Sequence, residues 1–217
     1  MTDFLYPFIE GDERDEGALL TDLSRSAAAK SEESRGLRAA TLQRCEAALA
    51  AIAAAVVERK GRGGRILAFG NGGSATDAAG VAALFAFPPV GMPVPARSLA
   101  AGEAILTALA NDIGFDVVFS RQLIAMGGPD DVALGLSTSG NSVNVIRAFA
   151  EAKRRGLLTV GLAGYDGGQM AACPDLDHCL VVESDSVHRI QEAQSALIFD
   201  LWTRVQVLLG DESGAGE

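Results

Sequence analysis

One device occurs twice in this chain, and it constrains the fold more than any other feature: an apolar strand runs into a Gly/Ser/Asn turn that opens a helix-like segment. In the first copy Ile66-Leu67-Ala68-Phe69 enters Gly70-Asn71-Gly72-Gly73-Ser74. In the second, Val132-Ala133-Leu134-Gly135-Leu136 enters Ser137-Thr138-Ser139-Gly140-Asn141-Ser142. Turns of this kind place backbone N–H groups and small hydroxyls at a helix N-terminus, where the helix dipole favours an anion. Two copies after two strands point to a phosphate site. The plainer alternative is a pair of ordinary strand-to-helix turns whose hydroxyls only cap their helices.

The rest of the chain supplies a scaffold for these turns. Residues 16–31 and 37–60 carry Leu, Ile, Val and Ala at helical spacing, and Gly61 to Gly64 stops the second of these helices. Strands are expected at 65–69, 96–100, 131–136, 157–163 and 178–183. Helices are expected at 75–86, 103–110, 115–126, 142–155 and 187–209. Strands that alternate with helices make an α/β domain, a parallel sheet covered on both faces. Ligands of such sheets bind beyond the carboxyl ends of the strands, where both turns lie. The boundaries read as an N-terminal segment and helix over 1–36, one domain over 37–209, and a frayed tail over 210–217.

Composition narrows the partners. At 217 residues and 48% hydrophobic, the chain is long enough for one well-buried domain and short for two. A formal charge of −10 disfavours direct nucleic-acid binding, which needs a Lys/Arg surface. Cys45, Cys173 and Cys179 form neither a paired metal pattern nor a disulfide framework, and read as reduced thiols. The acidic residues among the first 20 leave no secretory signal, and the Ala-rich stretch 47–57 is too short to span a bilayer. A cytoplasmic protein with no membrane partner is expected.

The chemistry of the turns selects among phosphate ligands. Gly70-Asn71-Gly72-Gly73-Ser74-Ala75 satisfies the loose G-x-G-x-x-A pattern of a dinucleotide fold, yet the region that should supply a ribose-binding carboxylate reads Pro95-Ala96-Arg97-Ser98-Leu99. No Walker A lysine follows either turn. The hydroxyls of Ser137, Thr138, Ser139 and Ser142 suit a phosphate monoester instead.

Taken in order, Phe69 to Ser74, then Asn111-Asp112 with Gly114-Phe115 and Phe119-Ser120-Arg121, then Ser137 to Ser142, Gly164-Tyr165-Asp166-Gly167-Gly168 and Arg189-Ile190-Gln191-Glu192, the chain resembles SIS-domain (sugar isomerase) proteins. The resembling branch holds the sedoheptulose 7-phosphate isomerases and the DnaA initiator-associating proteins. The resemblance runs from about residue 37 to 209. It implies a flavodoxin-like, doubly wound parallel sheet with N-terminal helices, assembled as a homotetramer with sugar-phosphate sites near subunit interfaces. Carried over by position, Ser137, Thr138, Ser139 and Ser142 would hold the phosphate. Asn71, Gly72, Gly73 and Ser74 would line the sugar, and Asn111, Asp112 and Gln191 would complete the pocket.

The resemblance also has departures. In the isomerase branch the helix after the first turn carries a His and, four residues later, a Glu, and the last helix carries a further His eight residues beyond the Gln; these bind zinc and do the catalytic chemistry. The matching positions here are Gly80, Leu84 and Phe199. None of the three can ligate a metal or move a proton, so no metal and no cofactor is expected. Aldose–ketose isomerisation would need another base, for which His188 and Glu192 are the candidates, with Asp112 and Glu103 the other titratable groups. Three readings follow: a phosphosugar-binding sensor or assembly partner without turnover, which the departures favour; a phosphosugar isomerase with a different acid–base group; and an oligomer with a vestigial pocket.

Overall fold

The computed structural model describes residues 16–214, and the chain divides at Gly36/Leu37 into two compact units. Helix α1 spans Glu16–Gly61 without a break. The sequence expectation of two helices separated near residues 32–36 is therefore corrected. Every residue of that polar stretch tolerates a helix, Arg35 and Glu32 pair one turn apart, and a Cβ at Gly36 would meet no other part of the chain within 4 Å.

The unit from Leu37 onward is built on five parallel strands: β1 Ile66–Gly70, β2 Ala96–Ser98, β3 Val132–Ser137, β4 Leu158–Gly164 and β5 His178–Val182, ordered β2-β1-β3-β4-β5. The helices joining them are α2 Gly73–Ala86, α3 Glu103–Asp112, α4 Val118–Met126 behind a single 3-10 turn at Phe115–Val117, α5 Val143–Arg154, the short α6 Gly168–Ala171, and α7 Val187–Gly214. The final helix continues past residue 209 into the stretch read as a frayed tail. Residues 1–15, which hold most of the acidic N-terminus, lie outside the described residues, as do 215–217.

The central strands β1, β3 and β4 are buried at every position, which is why they read as continuous apolar runs rather than alternating ones. Successive side chains still divide between two cores. Ile66 and Ala68 join Val132, Leu134 and Leu136 on the face covered by α1, α2 and α7. Leu67 and Phe69 join the face covered by α4 and α5. There Phe69 stands between Phe119 and Phe149, with ring centroids 5.5 and 5.4 Å away. Gly135 of β3 faces this trio: a Cβ at that position would lie 2.5 Å from Phe149 Cζ and 2.7 Å from Phe69 Cε2.

By length and composition alone, Leu19–Gly61 is apolar enough to cross a bilayer. Its second half has another use, since Leu49, Ile52, Ala53 and Val56 are buried in the core beside the sheet. The three cysteines are free thiols, and burial pushes Cys179 up to about 11, leaving it little thiolate at neutral pH.

Candidate functional site

The strand order reverses between β1 and β3: the chain steps from β1 outward to β2, then returns to the other side of β1 and continues through β3, β4 and β5. A crevice opens at such a switch point, beyond the carboxyl ends of the two strands. Both Gly/Ser turns sit there, because Gly70 ends β1 directly beside Leu136 of β3. Gly70 has no room for a side chain, since a Cβ would meet Ser74 O at 2.7 Å and Leu136 O at 2.9 Å. Gly72 takes φ 57°, left-handed backbone that glycine adopts without strain, and so aims the chain into α2.

Neither helix start is closed by its own side chains. The N-cap residues Gly72 of α2 and Ser142 of α5 make no side-chain capping bond. The Ser142 hydroxyl instead meets that of Ser137 at 2.9 Å, across the mouth of the second turn. Ser137 is buried, Thr138 and Ser142 half-buried, and Ser139 exposed. Hydroxyl capping therefore does not account for this serine-rich turn, and the helix N-terminus remains able to take an anion.

A second loop props the turn from behind. Gly140 has φ 65°, and a Cβ there would lie 2.0 Å from Gly167 O. Gly168 is equally confined by Ser139 O at 2.5 Å, and Gly164 by Thr138 O at 2.5 Å. Met170 N–H donates to Gly140 O at 3.0 Å, and Gln169 N–H to Asn141 Oδ1 at 3.0 Å. The Gly164 to Gly168 segment is thus stacked on the Ser137 to Ser142 turn, backbone against backbone.

The first turn is tied to the second through Asn144, a residue that sequence reasoning missed. Asn71 and the buried Asn144 of α5 exchange both carboxamide bonds, at 2.8 and 2.9 Å. That pairing occupies the Asn71 side chain and clamps the turn after β1 to the helix that follows the turn after β3. Gln191 also reaches this place. Its Nε2 donates to Asp77 Oδ2 at 3.0 Å and lies 2.5 Å from where a Gly73 Cβ would be. Gly73 and Ser74 form the first residues of α2.

Other expected residues are not drawn in. Asn111 and Asp112 are exposed at the end of α3 and bond to each other, Nδ2 to Oδ1 at 2.8 Å. His188 and Glu192 are exposed in the first turns of α7, on either side of the inward-facing Gln191, and Glu103 is exposed at the start of α3.

One cavity adjoins the second turn, and another lies further along α2. An open cleft of about 800 Å³ is bounded by Ser139 and Asn141 on one side and by Asp166, Glu183 and Asp185 on the other. A smaller one, about 230 Å³, lies between α2 and α7 and gathers Gly80, Leu84 and Phe199, positions up to 119 residues apart, together with Thr76, Asp77 and Ser195. These are the positions that the resemblance matches to a zinc site. Among the lining residues Asp77 alone is titratable, and one carboxylate beside two hydroxyls and an apolar wall does not fit zinc, which takes three or four Cys, His or carboxylate ligands.

A family model described as the SIS domain matches residues 31–164. The chain belongs to the SIS domain family. Among curated relatives, the phosphoheptose isomerase of Solidesulfovibrio magneticus is 47% identical over 138 residues, 63% of this chain and 66% of that protein. That of Sulfurimonas denitrificans is 50% identical over 128 residues, 57% of this chain and 64% of that protein. The matched stretch thus spans just under two thirds of the length of these two relatives. Among solved structures, a phosphoheptose isomerase from Neisseria gonorrhoeae is 38% identical with a TM-score of 0.78, covering 84% of this chain and 98% of that one. One from Francisella tularensis is 30% identical with a TM-score of 0.77, covering 84% and 97%. The flavodoxin-like α/β SIS fold expected from the sequence is the fold of this chain, and the protein is similar to phosphoheptose isomerases. These relatives favour the isomerase alternative over the non-catalytic reading that the departures had put first.

Proposed function

We propose that this SIS protein binds a sugar phosphate with its phosphate in the Ser137 to Ser142 turn, and that it acts as a phosphosugar isomerase of the phosphoheptose type, with sedoheptulose 7-phosphate as the first substrate to try. The observation that carries the binding reading is the Ser137–Ser142 hydroxyl pair, set at the uncapped start of α5 at the switch point of the sheet. Supporting turnover are relatives that all bear an isomerase name. A second reading, binding without turnover in a sensor or assembly role, is favoured by one observation: Gly80, Leu84 and Phe199 line the cavity where the family's catalytic groups would stand. Calorimetry and turnover on the purified chain separate the two.

Binding should weaken by roughly 1–3 kcal/mol when Ser137 and Ser139 are both replaced by Ala, since two charge-assisted hydrogen bonds are removed. An unchanged calorimetric affinity in the folded double variant would discard the turn as the phosphate site.

The same reading includes a homotetramer in the cytoplasm. Phe87, Val90, Phe199 and Val207 are each more than half exposed, and Gln206 of α7 binds both the N–H and the carbonyl of Met92, joining the segment after α2 to that helix. Large exposed apolar side chains of this kind, where they gather into a patch, mark interaction surfaces. Light scattering at micromolar concentration should return about four times the monomer mass of 22.4 kDa; a monomer would contradict the assignment.

A further inference from the structure

We propose that Asp77 is the group that moves the proton between the two carbons of the sugar. This rests on the isomerase reading above and goes beyond it by naming a residue that the family's His-Glu-His pattern does not include. Three observations carry it. Asp77 is the titratable side chain among those lining the α2–α7 cavity. Its Oδ2 is fixed by the Gln191 amide, while Oδ1 takes no hydrogen bond among the described residues. Gln191 in turn lies against Gly73, in the turn that Asn71 clamps to the start of α5.

The path from the phosphate turn to this carboxylate crosses one strand spacing and one helical turn, roughly 8–12 Å. An extended seven-carbon sugar phosphate has about that reach. With the phosphate seated on the Ser137 to Ser142 turn, the far end of the sugar, which carries the carbonyl, reaches toward Asp77 and Gln191. The small Gly80 leaves space there, and Leu84 and Phe199 add walls with no competing base.

The step balances without an oxidant. Asp77 Oδ1 takes a proton from C1 of the ketose phosphate; the C–H electron pair becomes the C1–C2 double bond, and the carbonyl pair moves onto O2. A proton passes from O1 to O2 across the cis-enediolate. The O1 pair then closes the new carbonyl, and C2 takes back the proton from Asp77. The second hydrogen on Gln191 Nε2 is free of Asp77 and available to the oxygen that carries the charge.

The test uses the full chain in D₂O with sedoheptulose 7-phosphate, following deuterium entry at C1 and C2 by NMR and binding by calorimetry. Asp77→Asn keeps the shape and removes the base. It should lower exchange at least 100-fold while affinity stays within about threefold of the unmodified protein. Exchange in Asp77→Asn above a tenth of the original rate overturns the proposal, as does an unmodified protein that binds the sugar without any exchange. If the unmodified protein does not bind the sugar phosphate, the phosphate-site reading itself has failed, an outcome calorimetry identifies separately. Should Asp77→Asn not fold, Asp77→Glu, which displaces the carboxylate by one methylene, should lower kcat with little change in KM; an unaltered kcat overturns the proposal.

Discussion

Replacing Gly140 with Val should abolish measurable sugar-phosphate binding while leaving the sheet intact. Gly140 adopts φ 65°, a region that costs an L-residue roughly 1–2 kcal/mol and a β-branched one more. Space is the larger obstacle. The new Cβ would stand 2.0 Å from Gly167 O and 2.5 Å from its carbonyl carbon, and backbone cannot rotate away as a side chain can. The turn must leave its seat, which breaks the Gly140 O bond from Met170 N–H and moves the Ser137 and Ser142 hydroxyls apart. Affinity should fall more than 100-fold, about 2.7 kcal/mol or more. Circular dichroism should keep its α/β shape, since Gly140 lies beyond the end of β3. A Gly140→Val protein that binds sugar phosphate at the original affinity would remove this turn from the site.

The second large effect lies in the core. Phe149→Ala should destabilise the protein by about 3–5 kcal/mol, read from urea unfolding, because the ring is fully buried and packs on Phe69. A coupled change distinguishes lost packing from a general loosening. Gly135→Ala alone should destabilise, since its Cβ falls 2.5 Å from Phe149 Cζ. In the Phe149→Ala background that clash disappears, leaving only the approach to Phe69, so the same change should cost less. Additive costs would show that Gly135 and Phe149 do not share this space.

Much of the fold is legible in the sequence because its signals are local. β1, β3 and β4 stand out as apolar runs ended by glycine or serine, and α5 as a helix with Val145, Ala148, Phe149 and Ala152 on one buried face. The unbroken α1 was hidden because a polar stretch ending in Gly36 looks like a stop, although each residue is compatible with a helix. The four-residue α6 is too short to show a period. In the candidate site, the turns could be read but their partners could not. Asn71 meets Asn144 across 73 residues, and Asp77 meets Gln191 across 114; neither pairing leaves a mark on local spacing. Gln191 could be singled out only by resemblance, and no sequence signal marks Asp77, which the cavity and its bond to Gln191 bring out.

The stacking of the Gly164 to Gly168 segment on the Ser137 to Ser142 turn also limits how the protein can change over generations. Each loop occupies the volume into which the other's side chains would grow, so an isolated replacement at Gly140, Gly164 or Gly168 has no accommodating partner. The two loops therefore constrain each other sterically as one block. Room for a changed side chain lies instead in the cavity between α2 and α7, where a Cβ at Gly80 would meet nothing within 4 Å.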